Sequence, residues 1–415
     1  MFTSFSTALS ALAAHSTAID VVGNNLANLN TPGFKSSVVS FHDLVTQSLG
    51  AGLGDTQVGF GVGTPITLRE FSQGAIQTTG GTLDAAVQGD GFFVIQGPGG
   101  GTEYTRGGNF QVDKDGNLTT ATGESVQGWT QINGNLDTNA PPGNISVPVG
   151  TVQPPVVTKN ISFDINLNAA ATAEVKAGTF ATSVTIYDSL GNSHIVTATF
   201  TKNATAGQWD YSVSLPDADL QNPPFTPLTG SITFDANGNL TTPAAADPAP
   251  QLDIQGLADG ASDLTISWDL FNGKTPRISQ YAQPSSISAV TQDGSPAAQL
   301  VRVALADAGQ ILAQFSNGEQ TVVGQLAMAT IRNPESLIAV GNNNYQLSAR
   351  SALPAVGLPG TGGRGSVKGG AVEASTVDIA QQFTNLIVYQ RGYEANSKVV
   401  SAVDELSQTT INLIK

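Results

Sequence analysis

Asp113, Asp115 and Glu124 come closest in this chain to a metal-binding loop. A twelve-residue calcium loop takes oxygen ligands at alternating positions, ends on an acid and needs Gly at position six for its sharp turn. Counted from Asp113, Glu124 falls at the end, but Leu118 stands where the Gly belongs. The stretch Asp113-Lys-Asp-Gly-Asn-Leu-Thr-Thr nearly recurs as Asp235-Ala-Asn-Gly-Asn-Leu-Thr-Thr, and the second copy has no following Glu. An Asp-Gly or Asn-Gly pair between alternating segments is a hairpin signal, so both octets are expected to be turns. The histidines are His15, in a predicted helix, His42, in a loop, and His194, in the turn that follows Asp188-Ser-Leu-Gly-Asn. No two have metal-ligand spacing. There is no Cys, hence no thiolate nucleophile, disulfide or Cys-bound metal. Gly191-Asn-Ser-His is not a G-x-S-x-G elbow. The Gly-Pro-Gly-Gly-Gly run at 97–101 does not open a helix, so it is not read as a phosphate cradle. Two acids of a glycosidase kind can meet in any fold. Nothing else points to chemistry, and the expectation is a protein with no catalytic, metal or cofactor-binding site, no cofactor and no enzymatic activity.

Composition agrees. The 415 residues suit two or three domains. Charged residues make up 12%, about half the usual share. With 17 basic and 32 acidic residues the net charge is -15, which repels a nucleic-acid backbone and anionic membrane. No uninterrupted apolar run has the length of a membrane span. No Lys or Arg precedes Lys35, so a secretory signal would lack its charged start. Ala11-Leu-Ala resembles a cleavage site, but the apolar pattern continues in phase beyond it, and no cleavage is expected.

The elements follow from where the helix breakers lie. Residues 1–30 and 371–415 hold one Gly each (Gly23 and Gly392) and no Pro; all 21 Pro and the rest of the 46 Gly lie between them. Each such breaker costs a helix interior about 1 kcal/mol (Gly) or about 3 kcal/mol (Pro), so the ends read as helices. Phe2, Phe5, Leu9, Leu12, Ser16, Ile19, Gly23 and Leu26 alternate in steps of three and four, a heptad seam. Ile379, Phe383, Leu386, Gln390 and Tyr393 do the same, and Val399, Val403, Leu406, Thr410 and Leu413 continue after a phase shift. Val21, Val22 and Leu29 widen the first apolar face, and Ile387, Val388, Val400, Ile411 and Ile414 the second. Ser375-Thr-Val-Asp378 reads as a capping box, giving a last helix of roughly 60 Å. Paired with each other, the two helices would leave apolar surface over, and such surface marks an interface. The alternative is an ordinary helix pair lying on a core. The interface residues expected are Phe2, Phe5, Leu9, Leu12, Ile19, Val22 and Leu26 on the first helix. On the second they are Ile379, Phe383, Leu386, Tyr393, Val399, Val403, Leu406 and Leu413.

The middle, about 65–370, reads as β-structure. Ser183-Val-Thr-Ile-Tyr187 and Leu264-Thr-Ile-Ser-Trp268 alternate cleanly. Pro-rich 141–155 and 216–227, and Ala/Pro-rich 242–250, read as connections; Gly-rich 357–370 reads as a linker into the last helix. The fold class expected is α+β and multi-domain.

Three motifs resemble bacterial flagellar axial proteins, the rod, hook and hook-associated subunits. The first is Gly23-Asn24-Asn25-Leu26-Ala27-Asn28-Leu29-Asn30-Thr31-Pro32-Gly33-Phe34-Lys35. Physically it is a helix stop, a turn and an aromatic anchor. The second is Leu83-Asp-Ala-Ala-Val-Gln-Gly89-Asp-Gly91-Phe92-Phe93, after Phe71-Ser-Gln-Gly-Ala. The third is Glu373-Ala-Ser-Thr-Val-Asp378, then Phe383 and Gln390-Arg391-Gly392-Tyr393-Glu-Ala-Asn396-Ser. It departs from the family at Ala374 and Thr376, where larger apolar and Asn residues are usual. Tyr187-Asp-Ser-Leu-Gly-Asn192, Thr291-Gln-Asp-Gly294 and Phe315-Ser-Asn-Gly318 leading to Asn333-Pro334 are similar to the hook branch of the family.

The resemblance implies a terminal coiled coil, 1–30 with 371–415, forming the inner layer of a tube. It implies a connecting segment at 31–70, a middle β domain of 71–150 and 284–370, and an outer β domain of 151–283 inserted in it. It further implies a self-assembling flexible joint whose partners are its own copies, distal rod and hook–filament junction proteins, a hook cap and the flagellar export apparatus. The location implied is an extracellular appendage reached without a cleaved signal, with no nucleic acid and no membrane insertion. A distal-rod or junction protein is the nearest alternative. A secreted β-rich adhesin or glycan-binding module is the other, and it would need an exposed platform built from Trp129, Trp209 or Trp268.

Overall fold

The computed structural model describes residues 2–44, 46–48, 57–131, 136–173 and 178–413. Two helices bracket the chain, α1 (Phe2–Ala27) and α2 (Ile379–Leu413), and the described middle is strands joined by turns and short 3-10 segments. The distribution of breakers explains this division directly.

The chain forms two compact units. One comprises residues 1–149, 302–314 and 320–415; the other comprises 150–301 and 315–319. In the first, the strand Phe92–Gln96 pairs antiparallel with Thr102–Thr105, Ser125–Thr130 and Met328–Thr330. Its core gathers Phe92, Val94, Tyr104, Trp129, Ala329 and Tyr345. Phe71, from the segment before the second motif, meets Phe92 and Tyr345 edge-on at 5.5 and 5.2 Å.

In the second unit, Thr179–Tyr187, Ser193–Lys202, Gln208–Ser214, Leu228–Phe234 and Leu240–Thr242 form an antiparallel meander. A further sheet centres on Asn160–Asn168. The alternation read in the sequence is the burial pattern: Val184 and Ile186 point inward, as do Leu264, Ile266 and Trp268. Trp268 takes Phe163, Phe200 and Tyr211 edge-on at 5.9, 5.9 and 5.0 Å. The expected domain end at 283 falls inside this unit, because Ser286–Gln292 pairs along Asn160–Asn168.

Both octets are turns with one geometry. Asp113 Oδ1 accepts the N–H groups of Asp115 and Asn117 at 2.9 and 2.7 Å. Asp235 Oδ1 accepts those of Asn237 and Asn239 at 2.9 and 2.8 Å. The bonds from Asn117 and Asn239 hold both carboxyls below their ordinary range.

Three local expectations need correction. Residues 357–370 are not a free linker: Ser366–Gly369 pairs with Ala85–Gln88. Helix α2 begins at Ile379, and Ala371–Glu373, grouped with the helical end by its lack of breakers, is a strand paired with Ile76–Thr78. The cap is Asp378, whose Oδ1 accepts the Gln381 N–H at 3.0 Å. Thr376 is held extended instead, donating its N–H to Phe34 O and accepting the Ser36 N–H at 2.9 Å. By length and composition α1 is apolar enough to cross a membrane, although Ser, Thr and His residues interrupt every run.

Candidate functional site

The buried stripe of α1 is made of small side chains. Ala8, Ala14, Ala18 and Val22 are buried, and Asn25 ends the row. This stripe lies one position to the side of the heptad seam. Small residues let two helix backbones approach closely, and this face also carries His15 and Asn25, which meet α2. Late α1 meets early α2, through Asn25 Nδ2 and Gln382 Oε1 at 3.1 Å, and His15 meets Tyr389 further along, so the helices run antiparallel. On α2 the half-buried residues include Leu386, Tyr389, Gly392, Asn396, Val400 and Val403.

The larger residues of the expected seams point elsewhere. Phe5 and Leu9 are exposed on α1, while Leu12, Ile19 and Leu26 are half-buried and Val22 is already covered within the chain. On α2, Ile379, Phe383, Tyr393, Val399 and Leu406 are exposed, as are Ile387, Val388 and Ile411 outside the seam. The side chains of Phe2 and Leu413 lie outside the described residues.

Where the helices join the β-structure, a buried junction holds them. Asn25 donates to Ser37 O at 2.8 Å and accepts the Ser37 N–H at 3.0 Å, closing α1 onto the strand Ser37–Ser40. Asn28 donates its side-chain amide to Asn24 O and accepts from Thr31 Oγ1, which ends the helix. Gly33 has a φ of +71°, and a Cβ there would stand 2.5 Å from the Arg106 carbonyl carbon. Only Gly fits, on both counts. Phe34 is buried, and Lys35 behind it is fully enclosed. Lys35 Nζ lies 2.6 Å from Glu373 Oε1 and 2.6 Å from Ser72 O. The Gly74 N–H reaches the same Oε1 at 2.7 Å, and Arg106 Nη1 the other oxygen at 3.1 Å. Arg106 Nη2 continues to Gly89 O at 2.9 Å. Burial lowers the Lys35 pKa, and the Glu373 carboxylate works against that shift. One carboxylate therefore ties together segments from all three sequence motifs. Sequence reasoning missed Arg106 and gave Glu373 no role. The available signal was a Lys and an acid inside apolar motifs of a charge-poor chain.

Whole-length comparison settles the family. Flagellar hook protein FlgE of Escherichia coli is 32% identical over 424 residues, covering 99% of this chain and 99% of its own. Flagellar hook protein FlgE of Borreliella burgdorferi is 31% identical with 100% of each chain covered. The chain belongs to the flagellar hook protein FlgE family. Profiles of that family's parts match in order. The flagella basal body rod protein profile covers residues 5–35, and the flagellar hook protein FlgE/F/G D1 domain covers 86–184. The flagellar basal body protein FlaE D2 domain covers 162–295, and the flagellar basal body rod FlgEFG protein C-terminal region covers 368–413. The crystal structure of Helicobacter pylori flagellar hook protein FlgE2 shares the fold, with a TM-score of 0.53 over 70% of this chain and 98% of that one at 16% identity. This is a family of structural proteins, not of enzymes.

Within the FlgE frame, the remaining motif residues take identifiable places. Phe92 and Phe93 are buried core, and Gly91 makes room for Met328. Gln390 and Arg391 are exposed on α2, Gly392 faces His15, and Asn396 donates to Gly392 O at 2.8 Å. Among the described residues His15 and His42 stay apart from any acid cluster, but His194 does not. It lies on a strand with its ring buried, and Asp188, Asp219 and Asp259 surround it. Spacing could not reveal that group, because two of its carboxylates come from distant loops.

Proposed function

We propose that this chain is the structural subunit of the flagellar hook, polymerising with its own copies into the flexible tube between the rod and the filament. The observation that carries this reading, beyond family membership, is the division of apolar surface on the helix pair. The intramolecular contact uses alanines, while Leu9 (54% exposed), Phe383 (52%), Ile387 (58%) and Leu406 (59%) are left facing outward. Each large side chain covered on assembly contributes roughly 1.5–3 kcal/mol. Further copies of the same helix pair are the natural cover. In this reading α1 and α2 make a coiled-coil inner layer, the β-part of the first unit a middle layer, and the second unit an outer layer inserted in it. The charge-poor outer surfaces slide past one another as the tube bends.

Distal rod and hook–filament junction proteins would meet the two ends of the tube, a cap would guide its growth, and the flagellar export apparatus would deliver the unfolded chain. The location would be extracellular, reached without a cleaved signal, and the apolar face of α1 would serve the polymer rather than a membrane. A distal-rod or junction identity is less well supported, since hook relatives match over the whole length. An adhesin is disfavoured because Trp129, Trp209 and Trp268 are all buried.

Electron microscopy of the purified protein tests this. Short curved tubes are expected, and a variant lacking residues 1–30 should form none. Normal tubes from the truncated chain, or a full-length protein that stays monomeric under every polymerising condition, would defeat the assignment.

A further inference from the structure

The second unit contains a cluster of titratable side chains away from the helix pair. Asp188 sits in the turn before the strand Ser193–Lys202, which carries His194; Asp219 ends a 3-10 turn, and Asp259 lies in the loop before Leu264–Trp268. His194 Nε2 lies 3.2 Å from Asp188 Oδ2 and 3.4 Å from Asp259 Oδ2. The ligand atoms of these three residues lie within 4.8 Å of one another. We propose that His194, Asp188 and Asp259 form a binding site for a borderline divalent cation of the Zn²⁺ class, with Asp219 orienting the imidazole from behind.

Four features support this. First, bond lengths of about 2.0–2.2 Å to nitrogen and oxygen put neighbouring ligands of a tetrahedral ion about 3.4 Å apart. The two Nε2 distances match that edge. Second, the carboxylates are pre-aimed. Asp188 Oδ1 is taken by the N–H groups of Leu190 and Asn192 at 2.8 and 2.9 Å. Asp259 Oδ1 is taken by the Ala261 N–H at 3.0 Å. Each is left with Oδ2 facing the ring. The Asn192 amide also reaches Asp259 Oδ2 at 3.0 Å and Asp188 Oδ2 at 3.4 Å, one donor shared between two acceptors.

Third, His194 is only 7% exposed, and its buried Nδ1 makes no directed hydrogen bond. Asp219 Oδ2 stands 3.3 Å from it, off the N–H direction. A metal-bound imidazole usually gives its other N–H to a carboxylate, and a small turn of this partly exposed side chain completes that bond. Fourth, charge is out of balance. Among the described residues the ion-pair partner of all three acids is this one imidazole. A divalent ion supplies the missing positive charge. One imidazole with carboxylates suits Zn²⁺ and its first-row neighbours better than Ca²⁺ or Mg²⁺, which take oxygen alone.

The test uses full-length protein, stripped with a chelator and titrated with Co²⁺ as the spectroscopic probe and Zn²⁺ in calorimetry. One equivalent should bind, with tetrahedral d–d absorption that Zn²⁺ displaces, and Zn²⁺ should raise the thermal midpoint. Asp259→Asn removes a partly exposed ligand, should leave the fold intact and should abolish the Co²⁺ spectrum. Asp219→Asn should weaken binding by roughly 10–100-fold. No saturable signal at one equivalent would overturn the proposal. So would a signal that survives Asp259→Asn, because the ion would then sit elsewhere.

Discussion

Gly392 on α2 stands against the ring of His15 on α1: a Cβ added to Gly392 would lie 2.5 Å from His15 Cε1 and 2.6 Å from Nε2. The ring is backed by Phe41 at 5.5 Å and Tyr389 at 6.3 Å between centroids. The only glycine of the last helix is therefore a contact device. It lets the two backbones come together at the level of the His15 ring. Gly392→Ala should accordingly destabilise the helix pair. Overpacking costs about 1–3 kcal/mol, and the gain in helix propensity returns about 1 kcal/mol. Hydrogen exchange of α1 and α2 in the monomer should quicken, and His15→Ala in the same chain should restore protection. A double variant as weak as the single one would rule out the ring as the cause.

The buried junction gives a second prediction. Glu373 neutralises Lys35 and holds Arg106, and all three are enclosed. Glu373→Gln leaves two buried cations with a neutral partner. Removing one member of such a network costs about 3–5 kcal/mol. Thermal unfolding of the first unit should shift well down. Exchange should rise together in residues 31–37, 72–75 and 89, since each is tied to the same carboxylate. A loss confined to 371–378 would argue against one shared junction.

Much of this was legible in the sequence, and the limit has a physical form. Breakers and periodicity are local, so the two helices, the alternating strands around Val184 and Ile266, and the Asp113 and Asp235 turns could be read directly. The start of α2 could not. Thr376 is kept out of the helix by Phe34 and Ser36, which lie 340 or more residues away along the chain. The Glu373 network and the His194 cluster are likewise long-range pairings. The seam was read as one apolar face, but burial splits it, because alanines beside the seam allow a closer approach than Phe5 or Leu9.

Glu124 provides a prediction about pH. Its Oε1 accepts the amides of Asn342 and Asn344 at 3.1 and 3.0 Å, and Thr120 and Thr122 bond to Oε2. Burial pushes its pKa up, but the hydrogen bonds from Thr120, Thr122 and Asn342 prevail and bring it from 4.5 down to about 2. A folded-state pKa below the unfolded one gives stability that is fully present above pH 4.5 and is lost as pH falls toward 2. Hydrogen bonds to an ionised group contribute about 1.5–3 kcal/mol. Glu124→Gln should lower the unfolding midpoint at neutral pH and flatten its decline through that acid window. Parallel pH profiles for the two proteins would show that another carboxylate controls the acid response.

The exposed and the buried faces of the helix pair should fail in different ways. Phe383→Ser and Leu406→Ser alter side chains that the monomer leaves in water. They should leave the circular dichroism and thermal midpoint of the monomer nearly unchanged. Polymerisation should weaken strongly, because roughly 1.5–3 kcal/mol per side chain is lost at every repeated contact. Ala18→Leu changes a residue with no exposure, in the stripe against α2. It should disturb the monomer first, by about 1–3 kcal/mol of overpacking, and reduce assembly only as a consequence. Sedimentation of polymer, read beside monomer stability, separates the two. If Phe383→Ser assembled normally while Ala18→Leu did not, the outward face would not be the contact between copies, and the helix pair would be an internal support.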